Sequence, residues 1–178
     1  MGAATTLVTV QEFLAMPEIE GERRELIGGQ VVTIGYAKLR HELVKSNLIR
    51  ILMAWLLQNP VGRLFVETTF VLDETNSFIP DLSIVLPERV DVNADWIDGA
   101  PEVAIEVVSS ETATQLEKKI KLYLAHGAKS VWVVYPEHRL VRLFAGSGSA
   151  KGFEQDQTLE DPALPGFSTP VSAIFEGI

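Results

Sequence analysis

The sequence has no cysteine, a shortage of positive charge and no long apolar run. Without cysteine, the chain cannot form disulfides, thiolate metal sites or a cysteine nucleophile. The longest uninterrupted apolar segment, residues 51–57, is far shorter than the about 18 residues that cross a bilayer. The first ten residues lack a basic region followed by an apolar core, so they do not resemble a signal peptide. We therefore expect a cytoplasmic protein without a membrane partner.

Acidic residues outnumber basic residues by 24 to 15, which gives a formal net charge of −9. A protein that binds nucleic acid through a broad basic face should carry an excess of Lys and Arg instead. A nucleic-acid substrate would therefore need a local cationic groove, although some of the carboxylates could be ligands of cations. The length of 178 residues, with 47% hydrophobic residues, is typical of one globular domain with a buried core. We expect a single domain over residues 1–178.

Periodicity and turn residues predict a mixed α/β (α+β) chain. Thr9 and Glu12 fit a capping box that starts a short helix, and Gly28-Gly29 predicts the turn of a hairpin. Long helices are predicted over residues 38–58 and 111–126, and strands over 63–72, 78–86, 103–109, 131–135, 140–145 and 153–159. Because no repeat or linker divides the chain, we expect one mixed β-sheet with helices packed on it.

Two carboxylates lie in or beside apolar strands. Glu106 interrupts the run Val-Ala-Ile-Glu-Val-Val, where an unpaired buried carboxylate would cost several kcal/mol, so it should be paired, protonated or bound to a metal. Asp81 follows Pro80 at the start of another apolar strand. The alternative is that each is a charge at a strand end that reaches solvent. Because neighbouring strands run about 4.8 Å apart, we expect the two carboxyl groups to converge on one cation-sized space.

The helix after Glu106 supplies a third candidate, Lys119. At about 100° per residue, Lys118 and Lys121 point away from the sheet, whereas Lys119 lies on the border of the apolar stripe. The stripe itself consists of Leu116, Ile120, Tyr123 and Leu124. Lys119 is therefore the one of these three lysines that we expect to reach the space beside the carboxylates. The alternative is a lysine whose aliphatic stem covers apolar surface.

The long helix carries His41 in line with Leu48 and Leu52, near the centre of its apolar stripe. A histidine at this position faces inward. It is either a hydrogen-bonded core residue or part of a pocket that binds a substrate phosphate. His126 and His138 lie at predicted turns, and we interpret both as solvated surface residues.

These motifs, in this order, resemble those of the PD-(D/E)XK nuclease superfamily. The segments that carry the resemblance are Pro80-Asp81, Glu106-Val107-Val108-Ser109 and Gln115-Leu116-Glu117-Lys118-Lys119. Within that superfamily, the chain is similar over nearly its whole length to the bacterial Uma-two family of restriction-endonuclease-like proteins. The resemblance implies a restriction-endonuclease-like core, in which a mixed β-sheet is flanked by helices, and metal-dependent hydrolysis of phosphodiester bonds.

The resemblance also implies roles for individual residues. Asp81 and Glu106 match the acids that bind Mg²⁺ or Mn²⁺, and Lys119 matches the lysine that completes the catalytic set. The usual superfamily lysine lies two residues after the glutamate, where this chain has Val108, but in this family the lysine is found on the following helix.

Three further positions belong to the implied pocket. Glu25 and His41 match accessory polar residues of the family. Gln115 stands where the family usually has an acidic residue, four residues before the helix lysine. The replacement lowers the negative charge that would attract a metal.

The leading hypothesis is a Mg²⁺- or Mn²⁺-dependent nuclease that acts on DNA. One alternative is a catalytically degenerate member of the fold that serves as a binding or assembly module, which Gln115 and the acidic charge favour. Another is a metal-dependent hydrolase of a small phosphate ester. We also expect a two-fold homodimer as a possible assembly, because residues 51–57 form an apolar segment on a long helix.

Overall fold

The computed structural model describes residues 7–35, 38–109 and 112–178. The helices are α1 (Val10–Leu14), α2 (Leu39–Leu56), α3 (Ala113–Ala125) and α4 (Val171–Ile174). The strands are β1 (Arg23–Ile27), β2 (Gln30–Ile34), β3 (Arg63–Val66), β4 (Phe70–Asp73), β5 (Asn76–Phe78), β6 (Leu82–Val85), β7 (Ile97–Asp98), β8 (Val103–Val107), β9 (Ser130–Tyr135), β10 (Leu140–Ala145), β11 (Ala150–Phe153), β12 (Thr158–Glu160) and β13 (Ser168–Pro170). Within the described ranges, no helix is both long enough and apolar enough to cross a membrane.

The predicted α/β class is confirmed, and so are its clearest local signals. The Thr9 hydroxyl accepts a hydrogen bond from the Glu12 backbone N–H at 3.3 Å, and the Glu12 carboxylate accepts one from the Thr9 N–H at 2.8 Å. Gly28 and Gly29, with φ of 60° and 75°, form the tight turn between β1 and β2. Glycine adopts this left-handed conformation without the steric penalty of a Cβ atom.

The prediction of one mixed sheet is wrong. The five-stranded sheet has the order β2-β1-β5-β4-β7, the six-stranded sheet has the order β11-β10-β9-β8-β6-β3, and β12 and β13 form a separate pair. Two predicted strands, 63–72 and 78–86, are each divided between the two larger sheets. The first breaks at Glu67, whose φ is 50°, and the second breaks before Pro80, which has no N–H to donate to a ladder. The predicted start of the second long helix, Glu111, lies outside the described residues.

The six-stranded sheet is covered on both faces. One face packs against α2 and the C-terminal segment, in a core that includes Leu48, Ile105 and Trp132. The other face packs against α3 and the five-stranded sheet, in a core that includes Ala104 and Tyr123. Side chains alternate along a strand, so the residue two positions after Ala104 also faces α3. That residue is the glutamate of β8.

Candidate active site

A cavity of about 350 Å³ lies where β1, the start of α2, β8 and α3 meet. Its wall includes Asp81, Glu106, His41 and Lys119. Four residues singled out from the sequence therefore lie around one space, although they come from separate segments of the chain.

Strand pairing brings Asp81 and Glu106 together. In the antiparallel ladder between β6 and β8, Leu82 is opposite Ile105 and Ser83 is opposite Ala104. The same register, carried one residue further, sets Asp81 opposite Glu106. Directly opposite residues project from the same face of a sheet, so both carboxylates are directed to the cavity side.

The Asp81 carboxylate is held at both oxygens. The backbone N–H of Val107 donates to Oδ2 at 2.7 Å, and Nε2 of His41 lies 3.2 Å from Oδ1. The other ring nitrogen of His41 lies 3.2 Å from Oε1 of Glu42. Because both ring nitrogens face carboxylates, a doubly protonated ring satisfies both contacts. The inward orientation predicted for this histidine is confirmed, since 5% of it is exposed.

The pKa values agree with this arrangement. Burial alone would lower the pKa of His41, but the hydrogen bond and charge of Asp81, together with Glu42, outweigh it and raise the pKa. Burial alone would raise the pKa of Asp81, but the contacts with His41, the Val107 N–H and the charge of Lys119 lower it. Asp81 is therefore ionised at neutral pH.

Lys119 lies between two buried carboxylates. Its Nζ is 2.8 Å from Oε1 of Glu106 and 3.0 Å from Oε1 of Glu25. Glu25 also accepts a hydrogen bond from the backbone N–H of Ile79 at 2.7 Å, and Tyr123 donates its hydroxyl to Glu106 at 2.8 Å. Each of these contacts reduces the cost of removing a charge from water. Glu25 therefore helps to hold the ammonium group of Lys119 in place.

Burial is the largest influence on the pKa values of Glu106, Lys119 and Tyr123. It raises the pKa of Glu106 to about 8, and the charges of Glu25 and Asp81 add to the effect while Lys119 opposes it. For Lys119, burial lowers the pKa, but the attraction of Glu106 and Glu25 is stronger and the net shift is upward. Burial and the same carboxylates raise the pKa of Tyr123, so its hydroxyl remains a donor.

The orientation of α3 agrees with its predicted helical phase. Lys119 is 2% exposed, whereas Lys118 and Lys121 are exposed. Gln115 takes part in the N-terminal cap of α3. Its side-chain oxygen accepts the Thr112 backbone N–H at 3.0 Å, and its own N–H donates to the Thr112 hydroxyl at 3.2 Å. This capping box was visible in the sequence as Thr-x-x-Gln but was not predicted.

Two other features differ from the sequence interpretation. The reading of His126 as solvated is wrong, because this residue is half-buried and its Nε2 lies 3.0 Å from Oδ2 of Asp73. His138 is exposed, as expected. Tyr123 belongs to the apolar stripe, and its hydroxyl in addition donates to Glu106, a contact that the sequence analysis does not predict. Its position four residues after Lys119, one helical turn further on, was the available signal.

The donor set at the cavity fits a hard divalent cation. Among the described residues, no three His, Cys, Asp or Glu side chains form a metal-binding group. Mg²⁺, however, commonly uses one or two protein carboxylates and completes its shell with water and phosphate oxygens. Asp81 and Glu106 supply that number of carboxylates beside a cavity, so the residues fit Mg²⁺ or Mn²⁺.

A mixed α/β fold with buried acids and a lysine at one cavity is compatible with a nuclease, and comparison with known families agrees. The Uma2 family model, "Putative restriction endonuclease", matches residues 10–172. The chain therefore belongs to this family, and the resemblance inferred from its motifs is confirmed. Family membership supports nuclease activity.

The fold is also similar to that of a solved structure. A crystal structure of a "putative nuclease" from Anabaena variabilis ATCC 29413 aligns with a TM-score of 0.85 at 23% identity, over 94% of this chain and 97% of that chain. The cryo-electron microscopy structure of a DrdV–DNA complex aligns with a TM-score of 0.37 at 16% identity, over 78% of this chain and 14% of that chain. A comparison with curated proteins gave no match.

Proposed function

We propose that the protein is a Mg²⁺- or Mn²⁺-dependent nuclease that hydrolyses phosphodiester bonds of DNA. In this proposal Asp81 and Glu106 hold the metal and Lys119 assists the reaction, while Glu25 and His41 are accessory residues. The observation that carries the proposal is that Asp81, Glu106 and Lys119 lie in the wall of one cavity, where Nζ of Lys119 is 2.8 Å from Oε1 of Glu106.

The residues around the cavity have different roles in the proposed reaction. A divalent cation, when bound, lowers the pKa of a coordinated water and offsets negative charge on the phosphate. Asp81 is oriented before substrate arrives, because His41 and the Val107 N–H hold its two oxygens. Lys119, oriented by Glu25, stabilises charge that develops on the phosphate or orients the attacking water. Glu106 releases its proton when it becomes a ligand.

The direct test is incubation of the purified protein with plasmid, linear duplex and single-stranded DNA across several divalent metals, with a chelator as the blank. We expect Glu106→Gln to abolish cleavage, because the amide keeps the shape of the side chain and loses its charge. The loss should exceed the about 10- to 100-fold that removal of a supporting residue costs at metal sites.

The exposed Glu117 on α3 offers a matched control, since Glu117→Gln removes the same charge outside the cavity. Circular dichroism should show the same fold in all three proteins. Absence of cleavage by the wild type with every metal, or unchanged cleavage by Glu106→Gln, would rule out the nuclease.

The competing proposal is a catalytically degenerate member of the family that binds or assembles without cleaving. The net charge of −9 favours it. So does the contact of Lys119 with Glu106, because a metal must compete with that ion pair. Calorimetric titration with Mn²⁺ separates the two, since the degenerate protein should bind no metal in this cavity.

A further inference from the structure

Arg23 lies in the wall of the candidate active-site cavity. It is on β1, two residues before Glu25, so the two side chains leave the strand on the same side. Arg24 leaves on the opposite side, where its guanidinium donates to the backbone oxygen of Pro17 at 2.6 Å. Two adjacent arginines therefore have different surroundings, and Arg23 is the one at the cavity.

Glu67 holds Arg23 in place. Its Oε1 accepts from Nη1 of Arg23 at 2.7 Å and from Nζ of Lys45 at 2.7 Å. The backbone of Glu67 is in the left-handed region, with φ of 50°, a conformation that costs energy for a residue with a side chain. This bend ends β3 and turns the chain toward β4. Arg23 is thus a fixed cation and still one-third exposed, with 34% of its side chain accessible.

The guanidinium of Arg23 has donors to spare. Its Nη2 makes a long contact of 3.4 Å with the backbone oxygen of Ile79. Its Nε is buried and has no hydrogen-bond partner among the described residues. Such a donor is unusual in a folded protein, because most buried polar groups are hydrogen-bonded. Lys119, by contrast, already contacts two carboxylates.

We propose that Arg23 binds a phosphate group of the nucleic-acid strand inside this cavity, an inference that rests on the proposed nuclease function. A guanidinium offers a phosphate several parallel N–H donors, which a lysine ammonium does not. Placed beside Asp81 and Glu106, such a contact positions the strand against the metal ligands. It also gives an acidic protein a local cation for its substrate without a broad basic face.

The first test does not require cleavage. Inorganic phosphate is titrated into metal-free, ¹⁵N-labelled protein, and the Arg23 Nε–H resonance, identified by its absence in Arg23→Lys, is followed by NMR. We expect this resonance to shift, and we expect Arg23→Lys to weaken phosphate binding about 10- to 100-fold. The control Arg24→Lys should bind phosphate as the wild type does. Lysine can keep the ion pair with Glu67. If the role of Arg23 were only structural, Arg23→Lys would therefore bind phosphate as tightly as the wild type does.

The second test is steady-state cleavage of linear DNA. Arg23→Lys should raise KM about 10-fold or more. Arg23→Gln also removes the positive charge, so it should in addition lower the slope of log KM against log salt by about 1. If the wild type cleaves DNA and Arg23→Lys has the same KM and the same phosphate affinity, the proposed role of Arg23 is wrong. The proposed nuclease function would then still stand. If phosphate shifts the Arg23 Nε–H resonance but the wild type cleaves no DNA, the anion site is established and the proposed nuclease function is wrong.

Discussion

At the scale of single residues, Glu106 has the most unusual environment. It is 2% exposed, and glutamate is almost never buried to this extent without a partner. Lys119 and Tyr123 supply partners, yet the pKa stays at about 8. Strong perturbation by burial, in a residue that lines a cavity, is typical of functional sites. The sequence indicated the burial, because the flanking residues of the strand are all apolar.

This pKa predicts that metal binding depends on pH. Below about pH 8 the Glu106 carboxyl of the folded protein is mostly protonated, so a cation must displace the proton. Affinity for Mn²⁺ should therefore rise by up to about tenfold per pH unit as pH increases from 6 to 8, and level off above that value. Calorimetry in buffers of different ionisation enthalpy measures both the affinity and the released proton.

The Glu106→Gln variant is the control, since it should bind Mn²⁺ weakly at every pH. A wild-type affinity that does not change between pH 6 and 9 would show that Glu106 is not a ligand.

Lys119 should also be needed for stability, because it lies between two buried carboxylates. We expect Lys119→Met to lower the free energy of unfolding by about 3–5 kcal/mol at neutral pH, as for other broken buried ion pairs. The exposed Lys121 on the same helix is the matched control, and Lys121→Met should change stability by less than about 0.5 kcal/mol.

Urea unfolding at several pH values measures these effects. The cost of Lys119→Met should be larger above about pH 8, where the Glu106 carboxyl is ionised in the folded protein, than at pH 6, where it is protonated. Equal stability of the two methionine variants would contradict the buried ion-pair arrangement.

At the scale of elements, α3 and β8 carry side chains that contact each other at the cavity. Lys119 and Tyr123 are four residues apart, so they lie on the same face of α3, and both contact Glu106. Leu116 and Ile120 on the same helix pack into the core between the sheets. The helix is therefore anchored by apolar contacts while its polar groups reach the strand.

The position of Gln115 leads to a prediction about the acid that the family usually has there. Because Gln115 caps α3 together with Thr112, Gln115→Glu should preserve the capping box and place a negative charge near the helix N-terminus. We expect the free energy of unfolding to rise by about 0.3–1 kcal/mol. Mn²⁺ affinity should remain within about twofold of wild type, which calorimetry would test. A larger increase in affinity would show that this side chain reaches the metal.

At the scale of the whole molecule, the cavity joins the two larger sheets. Glu25 belongs to the five-stranded sheet, Glu106 belongs to the six-stranded sheet, and Lys119 on α3 contacts both. The site therefore exists only when both sheets pack against this helix. The geometry of the candidate site therefore depends on the packing of the complete core.

We further propose a two-fold homodimer through the C-terminal end of α2 and the residue that follows it, where Met53 is 42% and Leu57 is 76% exposed. Light scattering at tens of micromolar should give twice the mass of the chain. Leu57→Glu should raise the dissociation constant at least about tenfold, because a charge would enter the interface. Val92 is 90% exposed and lies outside α2, so Val92→Glu should have no effect. A monomeric wild type would remove this proposal.

The sequence by itself determined the α/β class, the helices α1 to α3, the hairpin and the candidate residues Asp81, Glu106 and Lys119. These features depend on periodicity, caps and turns, and each is set by residues a few positions apart. Only the tertiary structure decided that two predicted strands divide between sheets, that Lys119 pairs with Glu25 and that Glu67 holds Arg23. Lys119 and Glu25 are 94 positions apart, and a sequence with 24 acids and 15 bases allows many such pairs. The pairs that form are decided by which charged side chains the packed sheets and helix bury next to each other. A charge buried in the core needs an opposite charge or a hydrogen-bond partner within contact distance, because it has lost its contacts with water.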